Sequence, residues 1–80
     1  MKLILDIETN GFLDVLDKIH CMVFKDIETQ KVYSYNPDQI NEGLNLLKKA
    51  TLIIGHSVME FDLPAIEKVT GFKYEGEILD

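Results

Sequence analysis

Hydrophobic and polar positions alternate between short apolar runs and polar segments, and the spacing within each run predicts its structure. Residues 2–9 (KLILDIET) form an apolar run that reads as a buried strand and carries two carboxylates, Asp6 and Glu8, near its end. Side chains of a strand alternate between faces, so residues two apart share one. Asp6 and Glu8 therefore point the same way. Residues 10–18 read as a loop, with Asn10-Gly11 as its turn signal and Phe12 and Leu13 expected to fold back onto the core. Residues 19–25 and 31–35 are rich in β-branched and aromatic side chains, and the polar stretch 26–30 between them fits a hairpin loop.

Asn36, Pro37 and Asp38 then make a helix start: an N-cap, a proline at the first position and an acid in the first turn. Ile40, Leu44 and Leu47 fall at i, i+4 and i+7, and Lys48 and Lys49 close the last turn. Gly43 in the middle costs about 1 kcal/mol against alanine. Residues 51–55 (TLIIG) are apolar throughout, as in a strand covered on both faces, and a helical crossover makes this strand parallel to the first. The second helix ends at Gly71, and two starts compete for it. Ser57 with Glu60 forms a capping box, whereas Asp62 with Pro64 starts one turn later. Pro64 has no amide for the Glu60 carbonyl, which predicts a loose first turn and a regular helix from about Asp62. Residues 78–80 look like the opening of a further strand. The fold expected is α/β: three antiparallel strands, a helix, a parallel strand, a helix and a strand begun, a mixed sheet that more polypeptide would complete.

Composition narrows the classes. Eighty residues make one domain at most, and 46% hydrophobic residues with mean hydropathy near zero describe a globular chain. Fourteen acids against eight bases give a net charge of -6, the wrong sign for holding nucleic acid by general electrostatics. Any nucleic-acid contact then requires metal ions or a partner to supply positive charge. No apolar stretch is long enough to span a bilayer and the N-terminus lacks a signal-peptide pattern, so the expected location is the cytoplasm, with no membrane partner. Cys21, the single cysteine, sits in an apolar run and reads as a small buried hydrophobe.

The candidate chemistry is carboxylate chemistry. Desolvating one carboxylate is expensive, and two side by side repel unless a cation lies between them. Asp6 and Glu8 either hold such a cation or are solvated acids where the strand ends. Asp62 is either a plain N-cap or a third acid, brought beside the first two because it follows a strand parallel to theirs. His56 and His20 read as structural residues.

Taken together, an Asp-x-Glu-Thr at the end of a first strand, two antiparallel strands, a helix, a parallel strand and Phe61-Asp62 at a helix start resemble a known group. The pattern is similar to the DEDD or DnaQ-like 3′-5′ exonuclease domain on a ribonuclease H-like fold. The likeness is greatest to the N-terminal proofreading exonuclease of phage-type family A DNA polymerases, with its Ile-His-Cys strand (residues 19–21) and Phe-Asp-x-Pro-Ala segment (residues 61–65). The resemblance spans nearly the whole chain. It implies that Asp6, Glu8 and Asp62 are catalytic residues that ligate two Mg²⁺ or Mn²⁺ ions. It implies substrate contacts at Thr9, whose backbone would approach the 3′ terminus, at Phe12, a wedge against the terminal base, and at Ser57, where the family often has asparagine. Asp80 aligns with a common aspartate that would support the ligands rather than be one. The implied partners are the 3′ end of single-stranded DNA and the remainder of an exonuclease or polymerase polypeptide, in the host cytoplasm if phage-encoded. Hard oxygen donors suit Mg²⁺, and a pair of such ions activates water and stabilises the leaving oxygen in phosphodiester hydrolysis.

The family's third motif, with a fourth acid and a residue that orients the attacking water, would lie beyond residue 80. Groups that act as a unit are strongly non-additive. The expectation is therefore the N-terminal part of an exonuclease, weak or inactive without that segment. Two alternatives stand beside it: a non-catalytic binding or regulatory module, able to form a homodimer through a free sheet edge, and a small structural domain in which all three acids are caps and loop charges.

Overall fold

The computed structural model describes all 80 residues. Five strands and two helices follow one another as β1 (Lys2–Thr9), β2 (Ile19–Asp26), β3 (Val32–Tyr35), α1 (Ile40–Lys49), β4 (Leu52–Ile54), α2 (Leu63–Thr70) and β5 (Glu77–Leu79). A 3-10 turn, Pro37–Gln39, leads into α1, and a π-helical turn, Val58–Asp62, leads into α2. The sheet is mixed, in the order β3-β2-β1-β4-β5. β1 runs antiparallel to β2 and parallel to β4, and β5 adds parallel to β4.

The strict alternation in β1 fixes the layering. Leu3, Leu5 and Ile7 are buried, and across the ladder they meet Met22, Phe24 and Ile53 on the same face. Leu46 and Leu47 of α1 and Ala65 and Ile66 of α2 join them in a single cluster. Both helices therefore cover one face of the sheet. The opposite face is open: Ile4 lies in a row with Lys25, Ile54, Val32 and Leu79, and Ile4, Val32 and Leu79 are all exposed.

Several expectations change in detail. Strand β1 is buried on one face only, and Leu52 and Ile54 of β4 are half-buried rather than enclosed on both sides. The buried stripe of α1 is Gly43, Leu46 and Leu47, with Ile40 and Leu44 on its flank. A Cβ on Gly43 would stand 2.9 Å from the Met22 sulfur and 3.2 Å from a Tyr35 ring carbon, so the glycine lets α1 approach the sheet closely. That close approach is the reason for a residue that costs helix propensity. In the 26–30 hairpin loop, Asp26 is buried, and its Oδ1 accepts the amides of Glu28 (2.8 Å) and Thr29 (3.2 Å). Cys21 is half-buried on the open face, opposite Glu8, and both histidines are exposed.

Candidate functional site

Two segments meet at the end of β1. The first is β1 itself, whose alternation places Asp6 and Glu8 on the open face, exposed and sharing that face as expected. Water reaches both, so neither carboxylate is desolvated. The pairing with β2 shifts between Glu8 and Thr9, so the ladder becomes irregular where the acids end.

The second segment arrives from β4. A Cβ on Gly55 would lie 2.7 Å from the Leu5 carbonyl oxygen and 2.6 Å from a Val58 methyl, so glycine permits the chain to pass against β1. Ser57 follows in the left-handed conformation, φ 61° and ψ 29°. Its carbonyl accepts the amides of both Phe61 (2.8 Å) and Asp62 (3.3 Å), and the turn widens to π geometry. Asp62 comes out of this turn only 4% exposed. The capping box expected from Ser57 does not form, since the Ser57 side chain makes no capping bond. Asp62 has helical backbone angles and its side chain also makes no capping bond, which removes the N-cap reading for it.

Asp62 Oδ2 is buried without a hydrogen-bond partner. Burial, and then the negative charges of Asp6, Asp80 and Glu8 in that order, push its carboxyl from 3.8 up to about 7. Each of the three thus lies near enough to Asp62 to act on its carboxyl. A buried, unpaired carboxyl among like charges is a configuration that a cation relieves. The donors are all hard oxygens, the type that Mg²⁺ and Mn²⁺ take. No three histidine, cysteine or acidic side chains stand in ligating geometry.

The loop after β1 forms the other wall. Asn10 Oδ1 accepts the amides of Asp17 and Lys18, both at 3.1 Å, and its Nδ2 donates to Asp17 Oδ1 at 2.6 Å. Thr9 Oγ1 donates to the Gly11 carbonyl (2.7 Å), and Lys68 Nζ of α2 donates to that of Leu13 (2.8 Å). Leu16 is buried and Leu13 partly so, as an inward-folding loop requires, yet Phe12 remains 82% exposed. Phe12 lines a cleft with Ile7, Glu8, Thr9, Gly11 and Phe61. Thr9 and Phe12 therefore share one cleft with Glu8, while Ser57 belongs to the turn behind Asp62. Sequence reasoning missed Asn10 as a clamp, having read Asn-Gly only as a turn, and missed Lys68, whose tether spans 55 positions and leaves no local signal.

No protein-family model matches the chain. Over an alignment of 79 residues that covers 94% of the chain, it is 32% identical to the DNA-directed DNA polymerase of Enterobacteria phage T3. It is equally 32% identical, over 76 residues, to the DNA-directed DNA polymerase of Escherichia phage T7. The likeness is to one segment of a phage polymerase. The chain spans 11% of the length of each of these relatives. No helix of the protein is long and apolar enough to cross a membrane.

Proposed function

We propose that these residues are the N-terminal part of a two-metal 3′-5′ exonuclease domain of ribonuclease H-like fold, in which Asp6, Glu8 and Asp62 hold Mg²⁺ or Mn²⁺. The observation that carries this reading is the buried Asp62 carboxyl, unpartnered at Oδ2 and set against Asp6 and Glu8. The similarity to segments of two phage DNA polymerases and the β1-β4 order of the acids support it. When bound, divalent ions supply Lewis acidity for phosphodiester hydrolysis. The chain's own residues do the rest: the Asn10 clamp and the Lys68 tether hold Phe12 out beside Glu8, where an apolar face can stack on a terminal base. Single-stranded DNA enters by its 3′ end, and the fourth acid comes from polypeptide outside these 80 residues.

The test is digestion of single-stranded DNA with Mn²⁺, comparing the 80-residue chain, and the same chain joined to the polypeptide that completes the domain, with an Asp6→Ala/Glu8→Ala variant of each. The joined form is expected to degrade DNA from the 3′ end, and the variant to lose at least about 10³-fold of that rate. Equal rates in parent and variant would refute the assignment of these acids.

A second reading, a non-catalytic module that pairs with another copy, draws on the uncovered sheet face and the exposed Val32 and Leu79 of its edge strands. Sedimentation of the chain decides it, a monomer at high micromolar concentration being the outcome against it.

A further inference from the structure

We propose that Asp80 is a positioning residue that replaces the missing N-cap of the turn carrying Asp62. The first amides of a helical segment have no partner within it and need an outside acceptor. Ser57 cannot supply one, because in its left-handed conformation the side chain makes no capping bond. Asp80 supplies it across more than twenty positions of chain. Its Oδ1 accepts the Ser57 amide at 2.8 Å and its Oδ2 accepts the Met59 amide at 3.0 Å.

The sheet delivers this carboxylate. β5 runs parallel to β4 with Leu79 opposite Ile54, and the Gly55 amide donates to the Leu79 carbonyl at 3.2 Å. The residue after Leu79 is thereby set beside the residues after Gly55. Both contacts are hydrogen bonds to a charged acceptor, roughly twice as strong as neutral ones. The first holds the amide of Ser57 itself, a residue in a conformation that non-glycine residues rarely hold, and the second holds the amide two residues on. With both oxygens engaged on backbone, Asp80 fixes the turn and the direction in which Asp62 faces Asp6 and Glu8. That last step rests on the reading of Asp62 as a metal ligand.

Amide hydrogen exchange and Mn²⁺ calorimetry on the full chain test it with Asp80→Asn and Asp80→Ala. Asparagine keeps one acceptor oxygen, and both variants remove the charge, so a difference between the two reports the hydrogen bonds. Asp80→Ala is expected to speed exchange at Met59, Phe61 and Asp62 by at least about tenfold, with Leu5 and Phe24 in the sheet unchanged. Mn²⁺ affinity is expected to fall about 10- to 100-fold in Asp80→Ala and less in Asp80→Asn. Unchanged exchange in the turn, or equal acceleration throughout the sheet, overturns the proposal. Equal Mn²⁺ loss in both variants overturns it too, since charge alone then accounts for the effect. Absence of Mn²⁺ binding by the unsubstituted chain removes the affinity comparison, and the exchange comparison alone then decides whether Asp80 holds the turn.

Discussion

The two faces of the sheet are built from the same strands and obey different rules. On the helix-covered face, Leu3, Leu5, Ile7, Met22, Phe24 and Ile53 are at most 5% exposed and packed in one cluster. On the open face, the neighbours of those residues are Lys2, Ile4, Asp6 and Glu8, all exposed. Stability resides on the first face and the candidate chemistry on the second. A strand with period-two alternation can carry both, because a residue on one face does not crowd its neighbours on the other. Asp62 joins the two: it is buried like a core residue and carries a carboxyl like a site residue.

The sharpest way to break this contrast is to empty the covered face. Phe24→Ala removes a fully buried ring that packs edge-on against Tyr35 at 6.0 Å, and should cost about 3–5 kcal/mol in urea denaturation. In a chain this small that loss approaches the whole stability, so circular dichroism is expected to show a largely unfolded variant at room temperature.

Asp62 gives the next largest effect, and its sign is opposite. With the folded carboxyl near 7 and the ordinary value 3.8, the folded state holds the proton more tightly than the unfolded state does. Both forms are protonated below about pH 4, so nothing is lost there. As pH rises from about 4 to about 7 the unfolded carboxyl ionises first, and stability falls by up to about 4 kcal/mol before levelling off. Asp62→Asn should abolish that slope and raise the melting temperature at pH 8 in chelator. A pH-independent parent, or a variant less stable at pH 8, would contradict the picture of a carboxyl buried without compensation.

The open face should respond least. Ile4→Thr, at 39% exposure and on a β-branched scaffold that keeps strand propensity, is expected to change stability by less than about 1 kcal/mol. A loss comparable with that of Phe24→Ala would mean that this face is covered in solution, and would favour the self-pairing reading.

Much of the fold was legible in local pattern. The apolar run marked β1, the β-branched runs marked β2 and β3, and Pro37 and Gly71 marked where helical structure starts and stops. The missing amide of Pro64 correctly signalled an irregular turn before α2, though not its π geometry. Leu16 in the core and the rotated stripe of α1 escaped, because each depends on which way a segment lies against the sheet.

For the site, the sequence by itself determined that Asp6 and Glu8 share a face, since that follows from strand period alone, and that Asp62 begins a helix after a parallel strand. It could not determine that Asp62 would be buried and unpartnered while Asp6 and Glu8 stay in water. That was decided by the tertiary structure: by the passage of Gly55 against the Leu5 carbonyl, the left-handed Ser57, and the reach of Asp80 from β5. Burial and charge-charge distance are properties of how distant segments pack, and the strength of an electrostatic interaction depends on both.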